Sequence, residues 1–118
     1  MKQDTNNLGS IHISTRAIAS ISYQAAIRSY GVVGLASKNI VEGLTNRIVK
    51  DPTHGIEVDY DNDEINIDVY IIVQYGTRIK SVAASIANTV RYHVEKSLGI
   101  PINEVNVHVQ GIRINESN

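Results

Sequence analysis

Between Ile65 and Leu98 the spacing of aliphatic residues changes once, from two to the three-and-four rhythm of a helix, at Gly76-Thr77. Few folds accommodate both halves. Before the change Ile65, Ile67, Val69, Ile71 and Val73 recur at every second residue, which places five branched side chains on one side of a pleated strand. After it Ile79, Val82, Ala83, Ile86, Ala87, Val90, Val94 and Leu98 form one apolar stripe of a helix, and Gly99 supplies its stop. A long strand followed directly by a long amphipathic helix specifies an α+β domain.

The rest of the chain is read around this unit. Ile11 and Ile13 alternate with Ser10 and His12, so Gly9–Ser14 is predicted to be a short strand, and Ser14 or Thr15 to cap a helix running to Tyr30. In that helix Arg16, Ser20, Gln24 and Arg28 recur every four residues as one narrow polar stripe, so most of its circumference is expected to be covered. Gly31 ends it, and Val32–Ser37 is apolar and short, as a strand or tight crossing would be. Ile40, Leu44 and Ile48 predict a short helix within Lys38–Gly55. Ile56, Val58 and Tyr60 then alternate into a hairpin that turns at Asp61-Asn62-Asp63. Val105, Val107 and Val109 make a last strand, and Ile112 and Ile114 fall on the other parity after Gly111, which predicts a bulge or a change of face.

The expected order is β-α-β-(α)-β-β-α-β, a two-layer sandwich of a small mixed or antiparallel sheet with two main helices on one face. Residues 9–114 would form the single domain, residues 1–8 a disordered start and 115–118 a tail. The uncovered sheet face is expected to carry Glu57, Asp59, Asn66, Asp68, Tyr70, Ile72, Gln74, Asn106, His108 and Gln110. Tyr70 and Ile72 stand out on this polar surface and, with Ile71 and Val73, form an apolar run that is buried on both faces or awaits a partner.

At 118 residues the chain can bury a core without covalent staples. It has no cysteine, so disulfides, thiolate metal sites and a cysteine nucleophile are excluded, and an intracellular location is expected. Met1–Asn7 is polar and no stretch is long and apolar enough for a bilayer span, so direct membrane insertion is not expected and any membrane association would come through a partner. Eleven basic and twelve acidic residues leave a net charge of −1, which disfavours nucleic acid as a partner.

Candidate chemistry is sparse. Asp59, Asp61, Asp63 and Glu64 imitate the start of a calcium loop, but Glu64 and Tyr70 stand where its glycine and its bidentate glutamate belong. Turn-forming residues at a hairpin tip account for them better. Gly31-Val32-Val33-Gly34, with Arg28 and Lys38 nearby, matches the backbone clamp of KH-type RNA-binding domains, against an alternative in which Gly31 ends a helix and a strand follows. His12, His54, His93 and His108 share no metal-ligand spacing, and no serine pairs with a base. No catalytic residue, metal ligand or cofactor site is therefore assigned.

Three stretches taken together carry a resemblance: Gly31-Val32-Val33-Gly34-Leu35-Ala36-Ser37, Tyr70-Ile71-Ile72-Val73-Gln74-Tyr75-Gly76 and Val105-Asn106-Val107-His108-Val109-Gln110-Gly111-Ile112. In register over Leu8–Ile114, they resemble the alkaline shock protein family of bacterial envelope stress proteins, and the compact length is similar to its short Gram-positive housekeeping branch. The resemblance implies a non-enzymatic cytoplasmic protein that gathers beneath the membrane by binding a membrane-anchored partner. It carries over no catalytic residue, metal or cofactor. The leading expectation is an interaction or scaffold module that binds a protein partner or itself through Tyr70, Ile72, Tyr75 and Gln110. The alternative is a KH-like RNA-binding domain using Gly31, Gly34, Arg28 and Lys38.

Overall fold

A computed structural model of the chain describes residues 14–37 and 55–114. The start, the predicted first strand up to residue 13, the predicted helix over 38–54 with Lys38, and the tail at 115–118 lie outside the described residues. Within them the order is α1 (Thr15–Ile27), β1 (Val32–Leu35), β2 (Ile56–Asp61), β3 (Glu64–Gln74), α2 (Ile79–Leu98) and β4 (Glu104–Arg113).

Each element begins and ends for a local reason. Ser14 caps α1, its Oγ accepting the Ala17 amide at 3.0 Å. Ile18, Ala19, Ser22, Ala25 and Ala26 form the buried face, and the small residues let α1 approach its neighbours closely. Asn62 and Asp63 both adopt positive φ, the geometry that matches a two-residue hairpin turn to the twist of β2 and β3. Gly99 is left-handed, and its amide donates to the Glu95 carbonyl to close α2.

β3 is the centre of a four-stranded mixed sheet and pairs with all three other strands. β4 runs parallel to it along Asn66–Gln74, which occupies one edge. The opposite edge is shared end to end: β2 pairs antiparallel with Glu64–Val69 and β1 antiparallel with Ile71–Val73. The two collinear strands meet at Gly55, whose carbonyl accepts the Tyr70 amide at 2.9 Å while the Ala36 amide donates to the Tyr70 carbonyl at 3.0 Å. A Cβ at Gly55 would sit 2.9 Å from the Leu35 Cβ, so only glycine lets the strands abut, and its φ of +82° suits glycine as well.

All five alternating residues of β3 are buried in one cluster with Ile18 and Ala26 of α1 and with Val82, Ile86, Val90 and Val94 of α2. Both helices therefore cover the same side of the sheet. The parity change in β4 is a bulge: Val109 pairs with Ile71 and Gly111 with Ile72, leaving Gln110 as the extra residue. The bulge restores the phase, so Ile112 pairs with Val73 and the strand does not change the face it buries.

Candidate interaction surface

Register fixes what the uncovered side of the sheet displays. Even-numbered residues of β3 point away from the helices, and directly paired residues share a face. Glu57, Asp59 and Asp61 of β2 lie opposite Asp68, Asn66 and Glu64 of β3, while Glu104, Asn106 and His108 of β4 lie beside Asn66, Asp68 and Tyr70. Carboxylates thus oppose carboxylates directly at Glu57–Asp68 and Asp61–Glu64.

At the middle of this face Tyr70 and His108 stack, with ring centroids 4.5 Å apart and planes 14° from parallel. His108 Nε2 lies 2.9 Å from Asp68 Oδ1, and the Tyr70 hydroxyl donates to Glu57 Oε1 at 3.5 Å. Burial pushes the Tyr70 phenol above its ordinary value, and the negative charges of Glu57 and Asp68 push it further in the same direction. Two strands and two carboxylates thereby hold an aromatic pair upright on a polar surface. The histidine–carboxylate pair lies on this open face and not in a cleft.

The predicted interaction residues are only partly brought together. Tyr70 and Gln110 share the open face; the Gln110 amide reaches across β3 to the Ser37 carbonyl at 3.5 Å. Ile72 is 9% exposed, so of the two alternatives for the apolar run the structure takes the buried one, and Ile72 offers no free anchor. Tyr75 follows the end of β3, where its amide donates to the Arg113 carbonyl at 2.9 Å and its ring is largely exposed. It belongs to the end of the sheet and not to the face. What sequence reasoning missed is His108 as the partner of Tyr70. Its place on the open face was legible from parity, but the neighbour it stacks on depends on which strand lies beside β3.

The RNA-clamp reading does not survive the geometry. Gly31, at φ +88°, is the turn after α1, its carbonyl accepts the Gln74 amide at 2.9 Å, and Gly34 is buried within β1 opposite Ile72. One glycine is therefore a turn tied to β3 through its carbonyl and the other lies in paired sheet; Arg28 is the C-cap of α1, and Lys38 lies outside the described residues. The acidic series forms the β2–β3 hairpin, and among the described residues no three histidine or acidic side chains are grouped to hold a metal. A groove of about 390 Å³ lies instead on the seam between α1 and α2, bordered by Ser20, Gln24, Arg28, Ser85, Thr89 and His93.

Comparison with known proteins gives this fold a family. A model described as the alkaline shock protein 23 family, with cell envelope-related function, matches residues 3–114. The chain belongs to this family. It is 43% identical over 108 residues to the uncharacterized protein YloU of Bacillus subtilis (strain 168), covering 90% of this chain and 90% of YloU. To YqhY of the same organism it is 33% identical over 114 residues, covering 96% of this chain and 84% of YqhY. Among solved structures a zinc form of a MamM CTD variant superposes with a TM-score of 0.51 at 17% identity, covering 88% of this chain and 92% of the other. That likeness shows a shared fold. No helix among the described residues is long and apolar enough to cross a membrane.

Proposed function

We propose that this member of the alkaline shock protein 23 family is a non-enzymatic interaction module whose open sheet face binds a protein partner on the cytoplasmic side of the envelope. The observation that carries the reading is the Tyr70–His108 stack, a rigid aromatic pair on a sheet face that neither helix covers. Aromatic side chains with a polar tip are the usual energetic centre of an interface, because they bury a large area with little loss of rotamer freedom. A membrane-anchored partner would bring the chain to the envelope, in keeping with the family's cell envelope-related function. The stack carries no reaction in this reading: Asp68 and His108 fix the ring of Tyr70 and activate nothing.

The test is crosslinking in cells of the wild type and of Tyr70→Asp, followed by mass spectrometry. A partner crosslinked by the wild type should be lost in the variant, with the circular dichroism of the purified protein unchanged. An identical set of crosslinks in both proteins rejects the face.

A further inference from the structure

Among the described residues charge is strongly separated between the two layers. Of the eight carboxylates among the described residues, six stand on the open sheet face: Glu57, Asp59, Asp61, Glu64, Asp68 and Glu104. Asp63 sits in the adjoining hairpin turn, and Glu95 alone belongs to a helix. The cations take the other layer. Arg16 lies on α1 and Arg28 is its C-cap, Arg78 caps α2, and Lys80, Arg91 and Lys96 lie on it. Arg113, paired beside Gln74 at the far end of β4, is the described sheet's single arginine or lysine.

Like charges placed directly opposite on neighbouring strands are unfavourable, and two such pairs, Glu57–Asp68 and Asp61–Glu64, occur within one hairpin. Among the described residues no arginine or lysine stands on β2 or on β3, while His108 lies against Asp68 and the Tyr70 hydroxyl donates to Glu57. The face thus pairs a negative field with a flat aromatic stack at its centre. Arginine fits both parts: its guanidinium stacks on aromatic rings and binds carboxylates through two parallel hydrogen bonds, whereas lysine is a compact point charge.

Resting on the interaction reading above, we infer that the open face docks an arginine-bearing basic segment of a partner protein. A guanidinium extends the Tyr70–His108 stack, and the flanking basic residues meet the β2–β3 carboxylates. Charge complementarity of this kind speeds encounter and rejects acidic partners.

The test uses the full chain and a fluorescein-labelled short peptide of alternating arginine and serine, with lysine–serine and glutamate–serine peptides as controls, read by fluorescence anisotropy. The arginine peptide should bind at low salt, weaken about tenfold as salt rises from about 50 mM to about 300 mM, and outcompete the lysine peptide. Asp59→Asn/Asp61→Asn/Glu64→Gln should weaken it at least about tenfold. His108→Ala should weaken the arginine peptide about fivefold and leave the lysine peptide unchanged. Lys80→Gln, on the helix layer, should change neither. Absence of binding at low salt, equal binding of the glutamate peptide, or full affinity of the triple variant would overturn the inference. So would low-salt self-association of the wild type that the triple variant abolishes, because the occupant would then be the basic helix layer of a second copy. If Tyr70→Asp removes the cellular crosslinks while the triple variant keeps them all, the face stands as an interaction site and the basic partner is rejected.

Discussion

Gly55 shows how one missing side chain sets a topology. Two strands share one edge of β3 only because nothing at Gly55 intrudes on Leu35, and the residue is held at positive φ by the Tyr70 amide. Gly55→Ala combines that clash with left-handed backbone strain and should cost on the order of 2 kcal/mol or more, read as a lower midpoint in urea unfolding. Tyr70 gives a prediction in pH. Burial, then Glu57 and Asp68, raise its phenol above 10.0, so the folded protein holds this proton more tightly than the unfolded chain. The stabilisation is complete below about pH 10 and is lost as pH rises through the folded value. Thermal melts of wild type and Tyr70→Phe should run parallel at neutral pH and diverge above about pH 10, with the variant losing stability less steeply. Equal slopes at alkaline pH would show that Tyr70 does not carry this effect.

At the scale of elements, the crossover from β3 through α2 to β4 is locked at its return. Arg91 donates through Nη1 to the Ile102 carbonyl and through Nη2 to the Asn103 carbonyl at 3.2 Å, while Glu95 Oε2 accepts the Ile102 amide at 2.8 Å. The Asn103 amide then donates to the Ile65 carbonyl at 2.8 Å, which starts β4 in register beside β3. A side-chain clamp on α2 thus decides where a parallel strand begins. Arg91→Met keeps the apolar stem and removes the donors, and should destabilise the fold by about 1–3 kcal/mol. Hydrogen exchange should quicken first at the amides of Ile102 and Asn103. Uniform exchange across the domain would show that the clamp is not local to this junction.

At the scale of the molecule, the separation of charge among the described residues makes a prediction independent of any partner. Neutralising Asp59, Asp61 and Glu64 together relieves repulsion within the hairpin, so the triple variant should gain roughly 1 kcal/mol at low salt. The gain should shrink as salt screens the wild-type face. A triple variant less stable than wild type would mean that these carboxylates support the fold, and the functional account of the acidic face would lose its ground. Among the described residues, opposite charges on two layers nearly cancel in a sum and persist at each surface.

Periodicity alone determined that the chain is α+β, where β3 ends and α2 begins, that a hairpin turns within Asp61-Asn62-Asp63, and that the phase of β4 shifts at Gly111, which the structure resolves as a bulge. Each of these follows from backbone geometry over a few residues, and so is written in local spacing. Tertiary structure alone decided that β4 lies parallel against β3, that β1 and β2 share one edge, that Ile72 is covered, and that His108 meets Tyr70. Strands pair through backbone groups that every residue carries, so pairing depends on how the whole chain closes its core and not on the side chains of the strand itself.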